Sequence, residues 1–173
     1  MKKGLFVILF ALFAMSNVNA QFSLGVGGSL FSDGTALELR GNYNVAEKIA
    51  IVPYFDYFVS TDYGTGSYST SNYKLDVSFM MYGVDGHYSL GDPDAFDFYP
   101  LLGLNIFSAH VSVSSTEDSS NNFSTNVSHT GLALGGGLTY ALSDSTKLFA
   151  ELRYLSHGDG SATGLSAGIL FNL

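Results

Sequence analysis

The sequence predicts an all-β fold, an eight-stranded antiparallel up-and-down transmembrane β-barrel. Three observations predict it. The last twelve residues, Ala162 to Leu173, read ATGLSAGILFNL and alternate with period two. Leu165, Ala167, Ile169, Phe171 and Leu173 share one face. Gly164, Ser166, Gly168 and Asn172 share the other, with Leu170 the apolar exception. That period belongs to a strand with two environments. The polar face is small, not charged, as a narrow interior requires and bulk water does not. Second, the same rhythm recurs in eight segments, an even number, and brief links alternate with a second set of connections that includes two long polar loops. Third, beyond the first twenty residues no apolar run approaches the length of a spanning helix. In lipid, only a closed barrel then satisfies the backbone.

Met1-Lys2-Lys3 is a basic head, Gly4 to Met15 is almost wholly apolar, and Ser16 to Ala20 is a small-residue exit. Residues 1–20 are therefore expected to be a signal peptide cleaved after Ala20. Residues 21–173 are expected to form the barrel as one domain. The chain has no Cys, which excludes disulfides and thiolate metal sites. Its formal charge is −8, and −10 once Lys2 and Lys3 are removed. So acidic a body argues against nucleic acid, whose phosphates require Lys and Arg.

The strands follow in order. Gln21 to Phe31 alternates Phe22, Leu24, Val26 and Leu30 against Ser23, Gly25, Gly27 and Ser29, and should neighbour the last strand. Ser32 to Thr35 is a tight turn. Ala36 to Asn44 puts Leu37, Leu39 and Tyr43 outward and Glu38, Arg40 and Asn42 inward. Ile49 to Ser60 contains Pro53, which lacks a ladder donor and predicts a bulge. Thr61 to Asn72 is a Ser/Thr/Tyr/Gly loop. Tyr73 to about Leu90 breaks phase near Gly83 to Gly86, where a bulge or bend is expected. Phe98 to Ser115 is long, Thr116 to Asn126 is a polar loop, and Val127 to Leu142 keeps its glycines inward. Lys147 to His157 sets Leu148, Leu152 and Tyr154 against Glu151 and Arg153.

The alternation leaves orientation open, because a soluble barrel would turn the same apolar face inward. The small uncharged residues of the polar face favour an interior position. So does its near balance of charge, Glu38, Asp56, Asp76 and Glu151 against Arg40, Lys74 and Arg153. Charges sharing a narrow, dry interior should pair. These seven residues are the expected interior charge network. An eight-stranded interior just accommodates side chains, so such a barrel is plugged.

The signal segment, eight strands, alternating loops, inward acid–base pairs and apolar-alternating last strand resemble the small outer-membrane β-barrel family. That family includes outer membrane protein X, the opacity proteins and the membrane domain of outer membrane protein A. Its members usually end in Phe or Trp, which the barrel-assembly machinery recognises; this chain ends Phe171-Asn172-Leu173. The resemblance implies a monomer in the outer membrane, contacting lipid and, during insertion, the assembly machinery. It implies a structural or cell-surface interaction role, no cofactor and no catalysis. Some eight-stranded barrels act on lipid A, but the deacylase pattern His-x-Ser-Asn is not met at His157, which is followed by Gly158-Asp159-Gly160. His87, His110, His129 and His157 are dispersed, with no ligand spacing between them, so no metal site is expected. Gly135 to Gly137 open no helix and read as packing glycines. Two other functions stay open on this reading, a small passive pore and a soluble periplasmic barrel that binds an apolar ligand.

Overall fold

The computed structural model describes residues 22–61, 65–70, 73–92, 95–115, 123–157 and 160–173. The expected signal peptide lies outside them. Among the described residues nine strands follow in order: β1 (Phe22–Phe31), β2 (Gly34–Ala46), β3 (Ile49–Thr61), β4 (Gly66–Ser69), β5 (Tyr73–Tyr88), β6 (Phe96–Ser115), β7 (Phe123–Ser143), β8 (Thr146–His157) and β9 (Gly160–Asn172). All pair antiparallel. β1 joins β9, and β3 joins β5, so eight long strands close into a ring. β4, within what the sequence reads as loop, caps β5 alone.

Period-two patterning holds around the ring. In β1, Phe22, Leu24, Val26 and Leu30 face outward, while Ser23, Gly25 and Ser29 are buried. In β9, Leu165, Ile169 and Phe171 face outward and Ser166 is buried. Leu170, the exception in the alternation, points into the ring beside Arg40: a Cβ on Gly25 would lie 2.6 Å from Leu170 Cδ2 and 2.8 Å from Arg40 Cγ. The outward face is a continuous apolar belt. At the end carrying Phe22 and Leu173, the termini of the described barrel, it is rimmed by Phe22, Tyr88, Phe96, Phe98, Tyr140 and Phe171, the aromatic girdle of a membrane boundary.

The interior is layered along its axis. Towards the far end lies an apolar plug of Phe31, Phe58, Phe79, Met81 and Leu155, with Phe107 packed against it. Ring centroids there are 5.2 Å apart for Phe31–Phe58, 5.7 Å for Phe58–Phe107 and 5.9 Å for Phe79–Phe107. The middle is charged. The end near the termini is polar, with Ser23, Ser89, Asp97 and Thr139.

Two expected bulges are absent. β5 keeps one register against β6 from Tyr73 to His87, through Gly83 to Gly86. The sequence changes character there because its inward residues pass from the plug, Phe79 and Met81, to the charged layer, Asp85 and His87. At Pro53, pairing with β2 resumes at Tyr43↔Ile51 with no residue inserted. Gly41 makes room for the ring, since a Cβ there would sit 3.4 Å from Pro53 Cγ. β7 also starts earlier than expected, at Phe123.

Far from the termini, four strands outrun the ring. β3 leaves β5 at Tyr57↔Met80, and β4 replaces it. β7 pairs with β6 from Phe123 onward but with β8 only from Gly131. Residues 66–69, 73–79, 108–115 and 123–130 therefore form a sheet that runs on for roughly 25 Å of strand.

The narrow interior explains its glycines. A Cβ on Gly137 would lie 2.6 Å from both Glu151 Cγ and Tyr99 Oη. On the lipid face, a Cβ on Gly28 would meet only Ala36 O, at 3.8 Å. Gly137→Val is expected to destabilise the barrel by at least about 1–3 kcal/mol, and Gly28→Val to be tolerated. Urea unfolding in detergent, read from the gel shift between folded and boiled forms, checks the pair.

Candidate functional site

Titratable side chains from five of the ring strands meet in the charged middle layer. Arg40 and Glu38 enter from β2, Asp56 from β3, Asp85 and His87 from β5, Tyr99 from β6, and Glu151 and Arg153 from β8. All are buried. Same-strand partners are two residues apart because only every second residue points inward.

Arg40 grips Glu151 with both guanidinium arms, Nη1 to Oε1 at 2.5 Å and Nη2 to Oε2 at 2.7 Å, the planar fork that arginine offers a carboxylate. Its Nε donates to Glu38 Oε1 at 2.5 Å, and its guanidinium stacks 3.8 Å over the Phe149 ring. Tyr99 Oη donates to Glu151 Oε1 at 2.8 Å. Arg153 is the hub. Its Nη2 is 2.6 Å from Glu151 and 3.6 Å from Glu38, its Nε 3.4 Å from Asp85, and its Nη1 4.0 Å from Asp56. Its other face lies over Tyr54 at 4.2 Å. Ser29 Oγ lies 2.8 Å from Glu38, 3.0 Å from Asp56 and 2.9 Å from Ser166 Oγ. Four carboxylates thus share two guanidiniums. Such a lattice is costly to desolvate but costlier to break, because removing one partner strands a buried charge.

Five of the seven residues expected in this network converge: Glu38, Arg40, Asp56, Glu151 and Arg153. Lys74 and Asp76 do not, and here the expectation is corrected. They pair at 3.2 Å on the far extension of β5, with side chains 50% and 35% exposed, and Ser67 Oγ donates to Asp76. Beyond the belt the outward face is wet, so polar residues take the side that lipid-facing ones hold lower down. Sequence reasoning missed Asp85, His87, Asp97 and Tyr99. The sequence reading turns Lys74 and Asp76 inward, which sets Phe79, Met81, Asp85 and His87 on the opposite face; the structure turns that face into the ring. Asp97 fastens the turn near the termini, accepting from Leu90 N at 3.1 Å, Gly91 N at 2.7 Å and Ser89 Oγ at 2.8 Å. Asp85, His87 and Glu151 also present donor atoms within metal-ligating reach of one another.

The ring of long antiparallel strands agrees with the family comparison, in which the outer membrane protein beta-barrel domain model matches residues 5–172. The chain belongs to this family. Members sit in the outer membrane, and the apolar belt fits that location. Similar solved structures are also small barrels of this kind. Ail, the attachment invasion locus protein of Yersinia pestis, is 18% identical, with 89% of this chain and 97% of that chain covered and a TM-score of 0.58. The N-terminal β-barrel domain of Pseudomonas aeruginosa OprF is 14% identical, with 88% and 97% covered and a TM-score of 0.57. A major outer membrane protein from Thermus thermophilus is 12% identical, with 90% and 100% covered and a TM-score of 0.65. These likenesses are of fold alone. No curated protein sequence matches the chain.

Proposed function

We propose that this protein is a plugged, non-enzymatic outer-membrane barrel that holds a polar β-sheet extension at the cell surface for contact with a macromolecule. The observation that carries the reading is the combination of a filled lumen with a sheet that outruns the ring. A pore needs a continuous wet path, and the charged layer and phenylalanine plug both lie across it. A soluble carrier of apolar ligands needs an empty greasy interior, and this one is occupied by salt bridges. The reading takes the far end as the outer one, because outer loops are the longer ones in such barrels. It includes export through residues 1–20, insertion by the barrel-assembly machinery, and a monomer in lipid.

The extension carries hydroxyls, amides and a few large exposed side chains. Tyr68, Phe123 and Val127 are exposed, and His110 Nδ1 lies 2.6 Å from Asn126 Oδ1. Rigid aromatics beside adaptable polar groups suit a protein or glycan surface. The Ail structure with the heparin analogue sucrose octasulfate suggests a polyanion as partner. This chain is poorly equipped for one, since Lys74 is the only Lys or Arg in or beyond the extension and it is paired with Asp76.

Two measurements test the reading. Reconstituted in planar bilayers, the protein is expected to pass no stepwise current; discrete openings would overturn the plug. The chain has no native Cys, so a cysteine at Ser128 can be labelled alone. On intact cells it should react with a membrane-impermeant maleimide, whereas protection there until the cells are lysed would put the extension on the wrong side.

A further inference from the structure

We propose that the charged layer binds one divalent metal cation through Asp85, His87 and Glu151. Asp85 and His87 point inward from β5, two residues apart, and Glu151 meets them from β8. One donor atom of each lies within 4.8 Å of the other two. His87 Nε2 is 3.7 Å from Glu151 Oε1. Donors on a tetrahedral ion with bonds of about 2 Å stand roughly 3.3 Å apart, so the three donors must draw together on binding.

Three observations point to a ligand there. His87 is 6% exposed and its Nε2 has no hydrogen-bond partner; Asp85 is fully buried and neither of its oxygens is hydrogen-bonded. Buried polar atoms are ordinarily satisfied, and a cation takes His87 Nε2 and one Asp85 oxygen together. Next comes the formal charge with every carboxylate ionised. Glu38, Asp56, Asp85 and Glu151 outnumber Arg40 and Arg153 by two, and a divalent ion supplies that difference. Arg153 Nε approaches Oδ2 of Asp85 and leaves Oδ1, whereas both oxygens of Glu151 already accept from Arg40, so an ion at Glu151 shares its carboxylate with that guanidinium. Finally, there is a route. A cavity of about 50 Å³ at the end near the termini is lined by His87, Ser89, Asp97 and Tyr99, while the phenylalanine plug closes the opposite side.

The His87 ring is already held, stacked on Tyr99 with centroids 4.4 Å apart and planes at 12°. One imidazole and two carboxylates suit zinc, whose sites with three protein ligands keep a fourth position for water. Magnesium and calcium prefer all-oxygen shells.

The test uses the mature chain folded in detergent, stripped with a chelator and titrated with Zn²⁺. Co²⁺ serves as a visible-absorbing probe. One Zn²⁺ per folded chain is expected after gel filtration, with a Co²⁺ band that Zn²⁺ abolishes. Asp85→Asn and His87→Gln should each weaken binding by roughly a hundredfold while keeping the folded gel migration. The proposal falls if folded wild type retains no more Zn²⁺ than either variant. Should both variants fail to fold, the comparison is with the urea-unfolded wild type, and equal retention by the two forms overturns it.

Discussion

Arg153→Ala should cost the barrel about 3–5 kcal/mol, the largest single-residue loss expected in the chain. Arg153 is fully buried and stands within 4.0 Å of Glu38, Asp56, Asp85 and Glu151. Truncating it leaves those four carboxylates with Arg40 alone and removes the cation over Tyr54. A lysine at this position restores one charge but not the planar fork, so Arg153→Lys should recover only part of the loss. Asp85→Asn added to Arg153→Ala should recover some of it too, since it removes a stranded charge. Urea titration in detergent, followed by the fraction of heat-modifiable band, measures all four proteins. An Arg153→Ala barrel as stable as wild type would show that the salt bridges do not hold the interior together.

Leu134→Arg should cost about 2–4 kcal/mol. Leu134 lies within the apolar belt, 59% exposed, with Leu102 beside it on β6 and Tyr154 on β8. A guanidinium there must be pulled into hydrocarbon, where only snorkelling or local thinning brings water to it. Ser128→Arg, six residues earlier on β7 but in the extension, should be nearly neutral, because that residue is in water. Folding yields into lipid vesicles, compared as a pair, separate a membrane effect from a general dislike of arginine on this strand. Equal yields would contradict the placement of the belt.

Period two told which residues share a face, and it set Glu38, Arg40, Asp56, Glu151 and Arg153 on the inward side, where the structure brings them together. It does not tell how far along the axis a residue sits. Lys74 and Asp76 look like interior charges by composition, yet they stand exposed on the outer face of the extension of β5, beyond the apolar belt. The same limit hid Asp85 and His87. Their strand carries apolar residues inward at Phe79 and Met81 and charged ones inward lower down, so polarity inverts while parity does not. β4 was invisible because four residues of Gly, Ser and Tyr carry no pattern of their own; they form a strand only because the edge of β5 is there to pair with. The closing pair, β1 with β9, follows from the even count and the small-residue faces.

The most direct test is the direction in which the side chains point. Single nitroxide labels on cysteines placed at Leu134, Leu152, Leu165 and Ile169 report collisions with oxygen, which dissolves in lipid, or with a nickel chelate, which stays in water. In reconstituted bilayers all four labels are expected to favour oxygen, most strongly towards the middle of the belt. Labels there that favour the nickel chelate, or that are shielded from both, would mean that the apolar face does not meet lipid.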